Sequence, residues 1–131
     1  MKLTLEGENE VDLSAFTAKP QAAIDVPQDS SLTIEGEGSL FVKGGRDSAG
    51  IGSSGTKAAG SIVINSGIIH AVSGTSTGTG GLPAAIGGGK NALAKDIVIN
   101  GGTVVADSCQ NANRNTNWGI GDEVADRKSV V

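Results

Sequence analysis

Three short apolar motifs recur in the same order four times along this chain, and no other feature constrains its fold as strongly. The first is Leu3-Thr4-Leu5-Glu6-Gly7, echoed by Leu32-Thr33-Ile34-Glu35-Gly36, Ile62-Val63-Ile64-Asn65-Ser66 and Ile97-Val98-Ile99-Asn100-Gly101. The second is Val11-Asp12-Leu13, followed by Leu40-Phe41-Val42, Ile69-His70-Ala71 and Val104-Val105-Ala106. The third is Ala22-Ala23-Ile24-Asp25, then Ala49-Gly50-Ile51-Gly52, Ala84-Ala85-Ile86-Gly87 and Trp118-Gly119-Ile120-Gly121. Each motif alternates apolar with other residues, the period of a half-buried strand. Strands this short cannot bury an apolar face alone. Stacking one unit on the next can, because each strand then pairs in parallel with its equivalent one unit away.

The expected architecture is therefore all-β: a right-handed parallel β-helix of about four coils with three short strands per coil. Handedness follows from the strong preference of parallel crossovers. The coils fall near 2–30, 31–60, 61–95 and 96–121, with 122–131 a cap or tail, so the whole of 1–131 is one domain. Four inward ladders are expected: Leu5/Ile34/Ile64/Ile99, Val11/Leu40/Ile69/Val104, Ile24/Ile51/Ile86/Ile120 and Leu13/Val42/Ala71/Ala106. Aromatic residues make up only 2% of the chain while 37% is hydrophobic, so aliphatic side chains must supply the buried area. Glycines flank the strands where the chain turns sharply. Gly87-Gly88-Gly89 reads as such a corner rather than a phosphate cradle, because Lys90 is followed by Asn91 and not by Ser or Thr.

A net charge of −4 with scattered Lys and Arg argues against a nucleic-acid partner. No apolar run is long enough for membrane insertion. Met1-Lys2 leads straight into the first motif without an apolar leader, which suggests a fragment of a longer secreted or cell-surface protein. Cys109 is the single cysteine, so no intrachain disulfide forms. No Cys/His cluster or calcium loop repeats with the coils. Neither a cofactor nor a structural metal is expected.

The runs LTIEGEGSLFVKGGRDSAGIGSSG, SIVINSGIIHAVSG…AAIGGG and DIVINGGTVVADS resemble the β-helical repeat regions of secreted or cell-wall-attached proteins of gut Gram-positive bacteria. The resemblance covers nearly all of residues 2–121 and speaks to architecture. Some such regions are labelled carbohydrate-binding and are similar to the pectate-lyase-type solenoid. Many have no known activity. The Asn-rich insert at 108–117 and the polar ending from Asp122 depart from the pattern.

Two places hold candidate ligand-binding residues. Phe41 and His70 fall in one outward column with Asp12 and Val105, either a contact strip or ordinary stacked surface. Asn111, Asn113, Asn115 and Asn117 crowd the last loop, which ends at Trp118. Amides beside an indole can hold a sugar, whereas the plainer role for Trp118 is a plug for the end of the core. No catalytic residue is assigned. Glu6 and Glu35 are expected as outward neighbours that continue into Asn65 and Asn100, an amide ladder. A lyase or hydrolase would need carboxylates and a base in one cleft, and the candidates are Glu6, Glu35, Glu37 and Asp12 with Lys43 and Arg46. No serine occupies a nucleophile turn, and no acid is assigned to orient His70.

The leading expectation is a non-catalytic extracellular repeat module of a surface protein or adhesin, displaying loops to a glycan or host-surface ligand. A carbohydrate-binding module is the alternative, with a polysaccharide lyase or hydrolase and a phage fibre segment behind it. Open solenoid ends expose strand edges. End-to-end self-association is expected through the N-terminal coil.

Overall fold

The computed structural model describes residues 1–76, 81–108 and 119–121. Alternation of inward and outward side chains shapes this part of the chain into strands joined by turns, with no helix among the described residues. The first coil holds β1 (Lys2–Leu5), β2 (Glu8–Asp12) and β3 (Ile24–Asp25). The second holds β4 (Ser31–Gly36), β5 (Ser39–Lys43) and β6 (Ile51–Gly52). The third holds β7 (Ser61–Ile64), β8 (Ile68–Val72) and β9 (Ile86–Gly87), and the fourth β10 (Ile97–Ile99), β11 (Thr103–Asp107) and β12 (Ile120–Gly121).

Equivalent strands pair in parallel, giving three four-stranded sheets in the orders β1-β4-β7-β10, β2-β5-β8-β11 and β3-β6-β9-β12. The molecule is an all-β solenoid with three strands per coil.

The core is a set of aliphatic columns. Ile24, Ile51, Ile86 and Ile120 stand in register along the third sheet. Ile51 and Ile86 are fully buried and Ile120 is 8% exposed. Ile34, Ile64 and Ile99 form the expected column of the first sheet, and Leu32, Ile62 and Ile97 a further one. Leu40/Ile69/Val104 and Val42/Ala71/Ala106 line the second sheet. Burying each large aliphatic side chain contributes about 1.5–3 kcal/mol.

In the first coil the expected register is wrong by two residues. Leu3, not Leu5, lies beside Ile34, and Leu5 pairs with Gly36. Asn9, not Val11, lies beside Leu40, while Val11 takes the place beside Val42 that was expected of Leu13. A two-residue slip leaves every side chain on its original face, so alternation alone does not discriminate between the registers. Packing does. Leu5 is buried over the glycine corner, where a Cβ on Gly36 would meet its carbonyl oxygen at 2.4 Å and a Cβ on Gly67 would meet its Cδ1 at 3.0 Å.

The loops between the second and third sheets also stack. Gly45 N–H donates to Gln21 O, and Gly74 N–H donates to Ser48 O.

Candidate functional site

Strand alternation sends every second side chain of the second sheet outward, and register then assembles these side chains into a grid. The outward residues of β2 are Glu8, Glu10 and Asp12, and those of β5 are Ser39, Phe41 and Lys43. Those of β8 are Ile68, His70 and Val72, and those of β11 are Thr103, Val105 and Asp107. Phe41, His70 and Val105 form one column as expected. The fourth member is Glu10 rather than Asp12, because of the slip in the first coil.

An open groove of about 460 Å³ lies on this face, lined by Glu8, Asn9, Glu10, Ser39, Leu40, Phe41, Ile68 and His70. Phe41 and His70 meet edge to face, with ring centroids 5.1 Å apart and planes at 85°, a geometry favoured by the aromatic quadrupoles. His70 Nε2 lies 2.7 Å from Asp107 Oδ2. An ionised carboxylate only accepts, so Nε2 carries a proton and donates the hydrogen bond to Asp107. Asp107 is thus the orienting acid that the sequence reading did not assign. Its signal was available: it lies two residues beyond Val105, which places it diagonally across from His70 on the same face. Glu8, Ser39 and Ile68 carry the same two-residue signal relative to Glu10, Phe41 and His70.

At the sheet's edge, Asp12 accepts from Ser14 N–H at 2.8 Å. Hydrogen bonding to the Ser14 side chain, then to its backbone, holds the Asp12 carboxyl below the usual aspartate range, with Lys43 adding a smaller attraction.

The carboxylates expected to pair do not. Thr4, not Glu6, stands beside Glu35 in the register, and Glu35 takes Lys2 Nζ at 2.7 Å. Arg46 turns to Asp47 in the following loop, with Nε 3.7 Å from Oδ2, and Lys90 approaches the same carboxyl at 3.7 Å. Glu6 and Glu37 do line one open groove, while Glu35 is engaged by Lys2, Asp12 by Ser14 and Arg46 by Asp47. Beyond Glu35 the amide ladder forms as expected, Asn100 Nδ2 donating to Asn65 Oδ1 at 2.8 Å. No cluster of three or more metal-ligating side chains occurs among the described residues.

Asn111, Asn113, Asn115, Asn117 and Trp118 lie outside the described residues, as do Cys109 and the 122–131 ending. Comparison with known proteins finds no matching family model, curated protein or solved structure.

Proposed function

We propose that this chain is a non-catalytic repeat module of a secreted or cell-surface protein, a stiff solenoid that displays a recognition surface on the outer face of its second sheet. The observation that carries this reading is the backing of that face. Behind exposed Ile68 and Val105 and half-buried Phe41 stand Leu40, Val42, Ile69, Ala71 and Val104, all buried in the core. Exposed apolar groups held in register by a packed wall mark a contact surface more than a solubility defect. The open first coil adds a second contact, end-to-end association with another copy. Antibodies raised against the folded chain are expected to label intact cells of the source organism or its secreted fraction. Labelling only after permeabilisation overturns the display role.

Carbohydrate binding is the second reading, favoured by the Phe41 ring bordered by Glu8, Glu10 and Ser39, groups able to exchange hydrogen bonds with sugar hydroxyls. A glycan array probed with the wild-type chain and with Phe41→Ala tests it. Binding that disappears in the variant supports the sugar reading, and an array without signal removes it.

A further inference from the structure

We propose that the outer face of the second sheet docks an extended polypeptide segment in which a lysine or arginine precedes a bulky aliphatic residue by two positions. The inference rests on the display reading above and names the partner. Its starting point is a mismatch on the surface. Ile68 is 57% exposed and Val105 45% exposed, both on the outward grid with Phe41. Bordering this apolar strip, Glu8 and Glu10 project from the first coil into the same groove. Among the described residues neither has an ion-pair partner, whereas Asp12 is engaged by Ser14 and Asp107 by His70.

A ligand that satisfies this face must bring positive charge to one end and aliphatic surface to the other. From the first coil to the third is two strand spacings, about 10 Å. An extended chain advances about 7 Å over two residues, and the long side chain of a lysine or arginine reaches across the remaining few ångströms. Side chains at i and i+2 project to the same side of such a chain, so a cation at i meets Glu8 and Glu10 while an aliphatic at i+2 covers Ile68. The stem of a lysine adds apolar contact along the way. A sugar fits this half of the surface less well. Ile68 and Val105 offer no π-face, Phe41 already packs edge to face with His70, and hydroxyls set against aliphatic groups lose water without replacement. Anionic membranes and nucleic acids are repelled by the same carboxylates.

The test is fluorescence anisotropy of the full chain with a labelled peptide of repeated Lys-Ser-Ile-Ser, compared with Lys-Ser-Ser-Ser and Ser-Ser-Ile-Ser repeats. A glucosamine oligosaccharide serves as competitor. The expected result is saturable binding of the first peptide alone, weakened as salt shortens the screening length from about 10 Å at 0.1 M to about 3 Å at 1 M. Combined Glu8→Gln and Glu10→Gln is expected to weaken it roughly five- to tenfold, and Ile68→Ser about tenfold. If Ile68→Ser fails to fold, Val105→Ser replaces it. Absence of saturable binding overturns the proposal. So does equal binding of the Lys-Ser-Ser-Ser peptide, which is plain charge attraction, or displacement by the oligosaccharide. Peptide binding without surface labelling of cells overturns the display role while the partner chemistry stands, so the two ideas fail separately.

Discussion

Gly52 stands so close to Gly87 that a Cβ built on it would lie 1.8 Å from the Gly87 carbonyl oxygen. One coil further, a Cβ on Gly87 would lie 1.9 Å from Gly121 O, and both residues have positive φ, +143° and +135°. The obstruction is backbone on either side, so no rotamer change relieves it. Gly87→Ala is expected to cost about 3 kcal/mol or more, backbone strain plus displacement of the next coil. Gly7 provides the contrast: its φ is +64° and nothing lies within 4 Å. Gly7→Ala is expected to cost only about 1–2 kcal/mol. Urea denaturation measures both, and equal losses contradict the stacking argument.

Ile86 is fully buried between Ile51 and Ile120 in the third sheet. Ile86→Ala is expected to cost about 2–5 kcal/mol in the same measurement. Ile24 caps the column at the first coil and is only partly buried, so Ile24→Ala should cost clearly less. A loss below about half a kilocalorie at Ile86 would place it outside the core.

The hydrogen bond between His70 and Asp107 is open to solvent, with side chains 44% and 60% exposed. Its coupling energy in a double-mutant cycle with His70→Ala and Asp107→Ala is expected near 0.2–1 kcal/mol, decreasing with salt. The pair orients the ring more than it holds the fold. A coupling several times larger would show that the groove is shielded from water.

Asp12 titrates below the ordinary aspartate value because Ser14 hydrogen-bonds its ionised form. A depressed folded-state pKa contributes stability that is present above the unfolded value, about 3.9, and is lost as pH falls through the folded value. NMR titration is expected to show a low Asp12 midpoint that rises in Ser14→Ala. An unchanged midpoint assigns the shift to the Ser14 backbone N–H, which the variant keeps, rather than to the hydroxyl.

Every residue of β2 is exposed at the open edge of the first coil, and Val11 presents 37% of its surface although it stands over Val42. An edge with unpaired backbone and apolar side chains promotes association. Val11→Lys is expected to lower the concentration-dependent light scattering of the isolated chain while leaving its melting temperature nearly unchanged. Scattering that stays the same with the fold intact moves the contact elsewhere.

By itself the repeat determined that the chain forms strands, how many each coil carries, and which residues of the last three coils share a column. Those coils are bounded by glycine-rich corners and carry large aliphatics at matching places, so one register satisfies packing. It also placed Phe41 and His70 in one outward column. Only the tertiary structure decided the first coil, where Leu3 and Leu5 have the same parity and the glycine corners at Gly36 and Gly67 receive Leu5. That two-residue choice brings Glu10 rather than Asp12 alongside Phe41, and Thr4 rather than Glu6 alongside Glu35. The partnership of His70 with Asp107 likewise required the neighbouring coil, because a diagonal contact depends on side-chain direction as well as strand pairing. Alternation specifies a face, and a period of two residues is blind to a shift of two. Close packing at the corners supplies the missing choice.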